Sequence, residues 1–421
     1  MAPGRIERAA ASAALVLLAA CTLLAYGRQA GASGTGSAVM PTAASSRRPP
    51  SNEELAAIGK LAFFDASLSA SGRQSCASCH SPDHAYGPPN GLAVQPGGAD
   101  MKQAGTRAVP SLRYLRRVPV WTHTLPGSIK ERFEDALDNM PSGGLTWDGR
   151  FDSLAAQATF PLLAPNEMAN ADAAGVAARL GRAAYAERFR RAFGADILAR
   201  PADALAALGK ALERFQFDDP SFRPFDSKLD RVLDGQARLS PQEARGLALF
   251  VDPERGNCAS CHPVGKGAAG GHPVLTDYNF QTLGVPRNPE IPANADPAYY
   301  DLGLCGPVRA DHAKDRWYCG MFRTPTLRNV ATRRVFFHNG RFHTLEDALR
   351  FYVQRDTDPK KWYPHPAGPQ PFDDLPESLQ GNVDHRNAPM TNHRGGRPVW
   401  NEAQIRDVSA FLKTLDDADT R

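Results

Sequence analysis

An excess of charge of one sign is missing from this sequence. Its 421 residues carry 49 Lys and Arg against 45 Asp and Glu, a net charge of +4, and those charges are dispersed. That gives no footing for nucleic acid as a partner, which needs a concentrated basic face. Long strand-like runs are absent as well, which argues against a sheet-based architecture. Cysteine is sparse, with 7 residues, so every one can be accounted for. Proline and glycine are plentiful, at 35 and 36, and point to long loops between short elements. Hydrophobic content of 42% and charged content of 22% suit a soluble globular protein, and the length suits two or three domains.

One apolar leader stands at the N-terminus. Arg5 and Arg8 precede AAASAALVLLAA, a stretch of signal-peptide length that ends in Leu18-Ala19-Ala20-Cys21. That ending resembles the lipobox of bacterial lipoproteins, in which the cysteine becomes the acylated first residue. A plain cleaved signal and an uncleaved anchor running on to Tyr26 are the other readings. All of them export the folded part. The expectation is a periplasmic protein with residues 1–20 as signal, Cys21 as the lipid anchor and 21–52 as a flexible tether to the membrane.

The other six cysteines fall into three pairs. Two pairs lie in a repeated pentapeptide, CASCH, at 76–80 and 258–262. A CxxC alone reads as a zinc half-site, a redox dithiol or a haem attachment. The His directly after the second Cys resolves it, because two thioethers fix the porphyrin edge and the adjacent imidazole binds iron from one face. Two covalent haem c groups are expected, attached at Cys76, Cys79, Cys258 and Cys261, with His80 and His262 as proximal iron ligands. The third pair, Cys305 and Cys319, is expected to form a disulfide in an oxidising compartment, with two buried thiols as the alternative.

Apolar periodicity predicts short helices at 53–66 and 241–251, each running into a CASCH, and Ala-rich helices at 172–195 and 201–217. Further helices fit 344–353 and 401–415. The fold class is mainly α: two cytochrome c-like domains, 53–222 and 223–421, each with short helices and long loops around one haem.

The stretches LAFFDASLSASGRQSCASCH, TWDGRFDSLAAQ, PNEM, LSPQEARGLALF, GNCASCH, FRTPTLRNV and FFHNGRFHTLEDALRFY resemble the bacterial diheme cytochrome c peroxidase and MauG superfamily. The resemblance runs over nearly the whole of the exported part. It implies an N-terminal haem where hydrogen peroxide reacts and a C-terminal haem that stores and relays electrons. Trp147 matches the Trp between the haems, and Gln157 and Glu167 match polar residues of the peroxide pocket. The chemistry agrees. Heterolysis of an O–O bond moves a proton from one oxygen to the other, which a carboxylate can do, while an amide holds the peroxide. The bland readings are a helix-start carboxylate for Glu167 and core packing for Trp147.

The sequence also departs from that family. Members typically carry a His between the first CxxCH and the Trp motif that caps the first iron. Here 81–122 contains only His84, too near His80 to reach the other face, and His123 falls in a longer insertion. The first iron is therefore expected to be five-coordinate or to hold water. Peroxidases of the family place a Met fourteen residues after the His that is His338 here; this chain has Tyr352, as MauG-like members do. Leu345, Ala348, Leu349 and Tyr352 follow i, i+3, i+4, i+7, so Tyr352 is expected to face inward as a second ligand. A phenolate is hard and favours ferric iron, where a thioether favours ferrous. A core Tyr bonded to backbone is the alternative. The resemblance also implies a calcium ion between the domains; its Asn ligand aligns with Ala108. The implied function is peroxide-dependent oxidation of a periplasmic electron donor or protein substrate, with the oxidising equivalents shared between the haems through Trp147. A diheme electron carrier without peroxide chemistry is the competing reading.

Overall fold

The computed structural model describes residues 49–122, 140–364 and 370–420. Cys21, the leader and His123 lie outside the described residues. Helix α1 (Asn52–Phe63) starts where the Ser51 side chain accepts the Glu54 amide at 3.1 Å, with Glu53 and Glu54 in a first turn that favours negative charge. Helix α2 (Cys76–Cys79) is the first CASCH itself. Helix α3 (Leu154–Leu163) is capped by Ser153. The single helix expected over 172–195 is two, α4 (Ala173–Leu180) and α5 (Ala186–Phe193), separated at Gly181, a residue that sustains a helix poorly. Helix α6 (Pro201–Asp218) has Pro201 in its first turn, where a missing amide costs nothing. These helices enclose one apolar cluster that includes Phe63, Phe189, Phe215 and Phe222.

The second half repeats the scheme. Helix α7 (Lys228–Leu233) leads to α8 (Pro241–Val251), whose Ser240 and Glu243 bond each other's amides reciprocally at 2.6 and 3.3 Å. Helices α9 (Leu345–Gln354), α10 (Pro359–Trp362) and α11 (Glu402–Leu412) follow. Their cluster begins at Leu229 and includes Phe250, Phe351, Trp400 and Phe411. Among the described residues, sheet is confined to two antiparallel pairs of two-residue strands: β1 (Pro96–Gly97) with β2 (Gln103–Ala104), and β3 (Phe280–Gln281) with β4 (Phe322–Arg323). The molecule is mainly helical.

The helix before each CASCH meets its partner at a glycine. A methyl placed on Gly59 of α1 would lie 2.0 Å from the Ala211 carbonyl oxygen of α6. One on Gly246 of α8 would lie 2.0 Å from the Asp407 carbonyl oxygen of α11. Bare backbone lets each pair close to a distance no other residue permits. A third cluster, with Phe280, Leu304 and Tyr318, packs around a disulfide joining Cys305 to Cys319. The C-terminal tail returns to the first half. Asp417, fully buried, accepts from Arg113 Nη1 at 2.9 Å, Tyr114 Oη at 2.7 Å and Asn329 Nδ2 at 2.6 Å.

Candidate functional site

The first CASCH is wound as a helical turn in which the His80 amide donates to Cys76 O at 2.9 Å. The chain then turns through Ala85 and Tyr86, both at positive φ, and delivers the Tyr86 carbonyl to His80 Nδ1 at 3.1 Å. Committing Nδ1 as donor leaves the lone pair on Nε2, the tautomer a metal ligand needs. Burial pushes His80 down to about 4, and Arg333 acts in the same direction, so the ring is neutral. Burial pushes the Cys76 thiol up to about 12 and that of Cys79 up to about 11, and both thiols feel the Glu167 carboxylate.

Glu167 comes from the turn that closes α3. Its amide donates to Ala164 O at 3.0 Å, and its carbonyl accepts the Gly98 amide at 2.8 Å, which ties the turn to the β1 strand. Burial lifts its carboxyl to about 7, with Arg150 opposing. Gln157 lies on α3, half-buried, with no side-chain hydrogen bond among the described residues. The structure thus brings Glu167 to the first cysteine pair, with Gln157 on the helix that leads to it.

The second CASCH is a tighter 3₁₀ turn, Cys258–Ser260. His262 Nδ1 lies 2.8 Å from Leu275 O, the same commitment as at His80, and burial pushes this ring down too. A cavity of about 250 Å³ opens here, lined by Cys258, Cys261, His262, Leu349 and Tyr352 among others. Thr344 caps α9 by accepting the Asp347 amide at 3.1 Å, and its own hydroxyl donates to the Asp347 carboxylate. So set, α9 turns Leu345, Ala348, Leu349 and Tyr352 together into the cavity. Burial, then the two nearby thiols, raises the Tyr352 phenol above its ordinary range. Sequence reasoning missed a methionine in this cavity, Met390, because no helical spacing links it to His338; its sulfur lies 3.1 Å from Arg355 Nη1.

Trp147 stands between the two halves. Its Nε1 donates to Ala108 O at 2.8 Å, its carbonyl accepts the Arg323 amide at 2.8 Å, and it lines the cavity that holds His262. His84 lines the same cavity, with Nδ1 3.1 Å from Ser81 Oγ. Arg323 was not singled out from the sequence. Its Nε donates to Thr146 O at 3.1 Å, burial pushes it down to about 10, and among the described residues no carboxylate pairs with it. No sequence signal marks it, since what sets it apart is a missing carboxylate partner beside an apolar cavity, which only the fold shows.

Comparison with known proteins places this geometry. Residues 53–238 match the family model of the di-haem cytochrome c peroxidases. The methylamine utilization protein MauG of Paracoccus denitrificans is 34% identical over 373 residues, covering 87% of this chain and 90% of that protein. The chain belongs to the MauG and di-haem cytochrome c peroxidase family. The diheme peroxidase BthA from Burkholderia thailandensis is 39% identical and superposes with a TM-score of 0.78, covering 89% of this chain and 88% of that one. Cytochrome c551 peroxidase of Nitrosomonas europaea is 28% identical, covering 71% and 73%.

Membership makes the chain a di-haem oxidoreductase. The residues present fit that cofactor: a neutral imidazole behind each CxxCH, an apolar cavity, and the unpaired Arg323 to meet a propionate. They do not fit the calcium ion of the family resemblance. Ala108 has no side-chain donor, its carbonyl is taken by Trp147, and its amide donates to His338 O at 2.7 Å. Among the described residues no cluster of three His, Cys, Asp or Glu is set to hold a metal, and no helix is long and apolar enough to cross a membrane.

Proposed function

We propose that this chain is a periplasmic di-haem c enzyme that reacts with hydrogen peroxide at its N-terminal site and oxidises a redox partner or protein substrate, in the manner of MauG. Cys76, Cys79, Cys258 and Cys261 form the thioethers; His80 and His262 are the proximal ligands and Tyr352 the second ligand at the C-terminal site. The two haem domains are 53–222 and 223–421. When bound, the haems supply the iron that meets peroxide and the store for its oxidising equivalents.

The observation that carries the reading is Glu167: a carboxyl lifted to about 7 by burial, beside the first cysteine pair. Such a group takes a proton from the near oxygen of peroxide and returns it to the leaving one at neutral pH. Gln157 hydrogen-bonds the peroxide and orients it. Trp147, held by Ala108, is the bridge between the sites. Tyr352 differs from methionine by presenting a hard oxygen, which lowers the potential of its site and holds it ferric. A leader ending in Cys21 carries the chain across the membrane and tethers it.

Electron paramagnetic resonance of the ferric holoprotein tests the reading. One high-spin and one low-spin signal, with the high-spin one altered by peroxide, is expected. Two low-spin signals indifferent to peroxide would mean an electron carrier instead. Tyr352→Phe should change the low-spin signal alone.

A further inference from the structure

The calcium joint of the family is missing its side-chain ligand here, and each chain neighbour of Ala108 takes part in an arginine contact. On one side, Arg107 reaches Asp148 Oδ2 through Nη1 at 2.7 Å and Asp301 through Nε and Nη2 at 2.6 and 2.7 Å. On the other side, the carbonyl of Val109 accepts Arg333 Nη2 at 3.0 Å, and Arg333 Nε reaches Val335 O at 3.3 Å. Arg333 therefore spans the first and second halves of the chain, with the backbone carbonyls of Val109 and Val335 as hydrogen-bond acceptors. Among the described residues it has no carboxylate partner. Arg333 is half-buried, and a guanidinium drawn partly out of water usually sits on an acid, because its charge is costly to desolvate. Neutral carbonyl oxygens around a bare positive charge are the donor set of a hard cation.

We infer that the Arg333 guanidinium, bonded to the Val109 and Val335 carbonyls beside Ala108, occupies the place of the interdomain cation, so that this enzyme's joint is built without calcium. The two replacements explain each other. An Asn at 108 would bring a cation ligand against a fixed positive charge; an alanine leaves the guanidinium room. A guanidinium is tied to the chain and cannot be chelated, diluted away or exchanged. The inference does not depend on the peroxide chemistry proposed above.

The test uses the purified holoprotein. Metal analysis is expected to find no stoichiometric calcium, and excess EGTA or added calcium chloride is expected to leave the thermal midpoint and the haem absorption unchanged. Stoichiometric calcium, or a midpoint that falls with EGTA and returns with calcium, overturns the inference. In the Ala108→Asn/Arg333→Ala double variant the cation's place is reopened. Its thermal midpoint is expected to rise by several degrees on adding calcium, or its folding to require calcium, as linkage demands of a ligand that binds only the native state. A double variant indifferent to calcium, folded or not, also overturns it. Arg333→Lys, which keeps the charge, should lie nearer the wild-type midpoint than Arg333→Met.

Discussion

At the scale of single residues the two sites differ by what stands near identical pentapeptides. In the role proposed for it, Glu167 must be ionised to accept a proton from peroxide. Its carboxyl is lifted to about 7, so the rate of peroxide reaction should rise with pH through about 7 and level off above it. Glu167→Gln should flatten that profile and slow the reaction about 10²–10⁴-fold, measured by stopped-flow absorption. A profile unchanged in the variant would remove the acid–base role. The two CxxCH motifs were legible in the sequence because cysteines and histidine are contiguous, and contiguity needs no fold. Arg323 and Arg333 were not. Their importance lies in what they fail to pair with, and Val109, which holds Arg333, is over two hundred residues away. Tyr352 sits between these cases: a helical spacing aimed it, and α9 delivers it to the cavity.

At the scale of elements the helix-and-loop grammar was readable wherever a cap and an apolar period coincide, as at Ser240 and Thr344. It misread 172–195 as one helix because the flanking alanines outweigh Gly181 in any window average. Helix α3 escaped notice because Pro161 interrupts its period, though the helix continues across it. The close crossings at Gly59 and Gly246 lie beyond sequence, since a glycine announces freedom or proximity alike. Gly246→Ala should force α8 from α11 and cost about 1–3 kcal/mol, seen as a lower denaturation midpoint with unchanged haem content. The disulfide clips a loop whose ends are 14 residues apart. Replacing both Cys305 and Cys319 by Ser should cost about 3 kcal/mol by the loop-entropy model, and dithiothreitol should not destabilise that variant further.

At the scale of the whole molecule the halves are joined by buried charge as much as by apolar surface. Asp417→Ala would leave Arg113, 1% exposed, short of its buried carboxylate. The expected loss is about 3–5 kcal/mol in equilibrium unfolding. None of this was legible in the sequence, where Asp417 reads as one acid in a polar C-terminal stretch, and only the fold carries it back to a residue some three hundred positions earlier.

That return of the tail has a consequence for how the protein is made. The first apolar cluster is complete once Phe222 has been synthesised, yet Arg113 and Tyr114 wait for Asp417, 304 and 303 residues further along the chain. The nascent chain can collapse early but cannot lock early. Protection of the first half against protease should therefore arrive in two stages, the second only once Asp417 has been made.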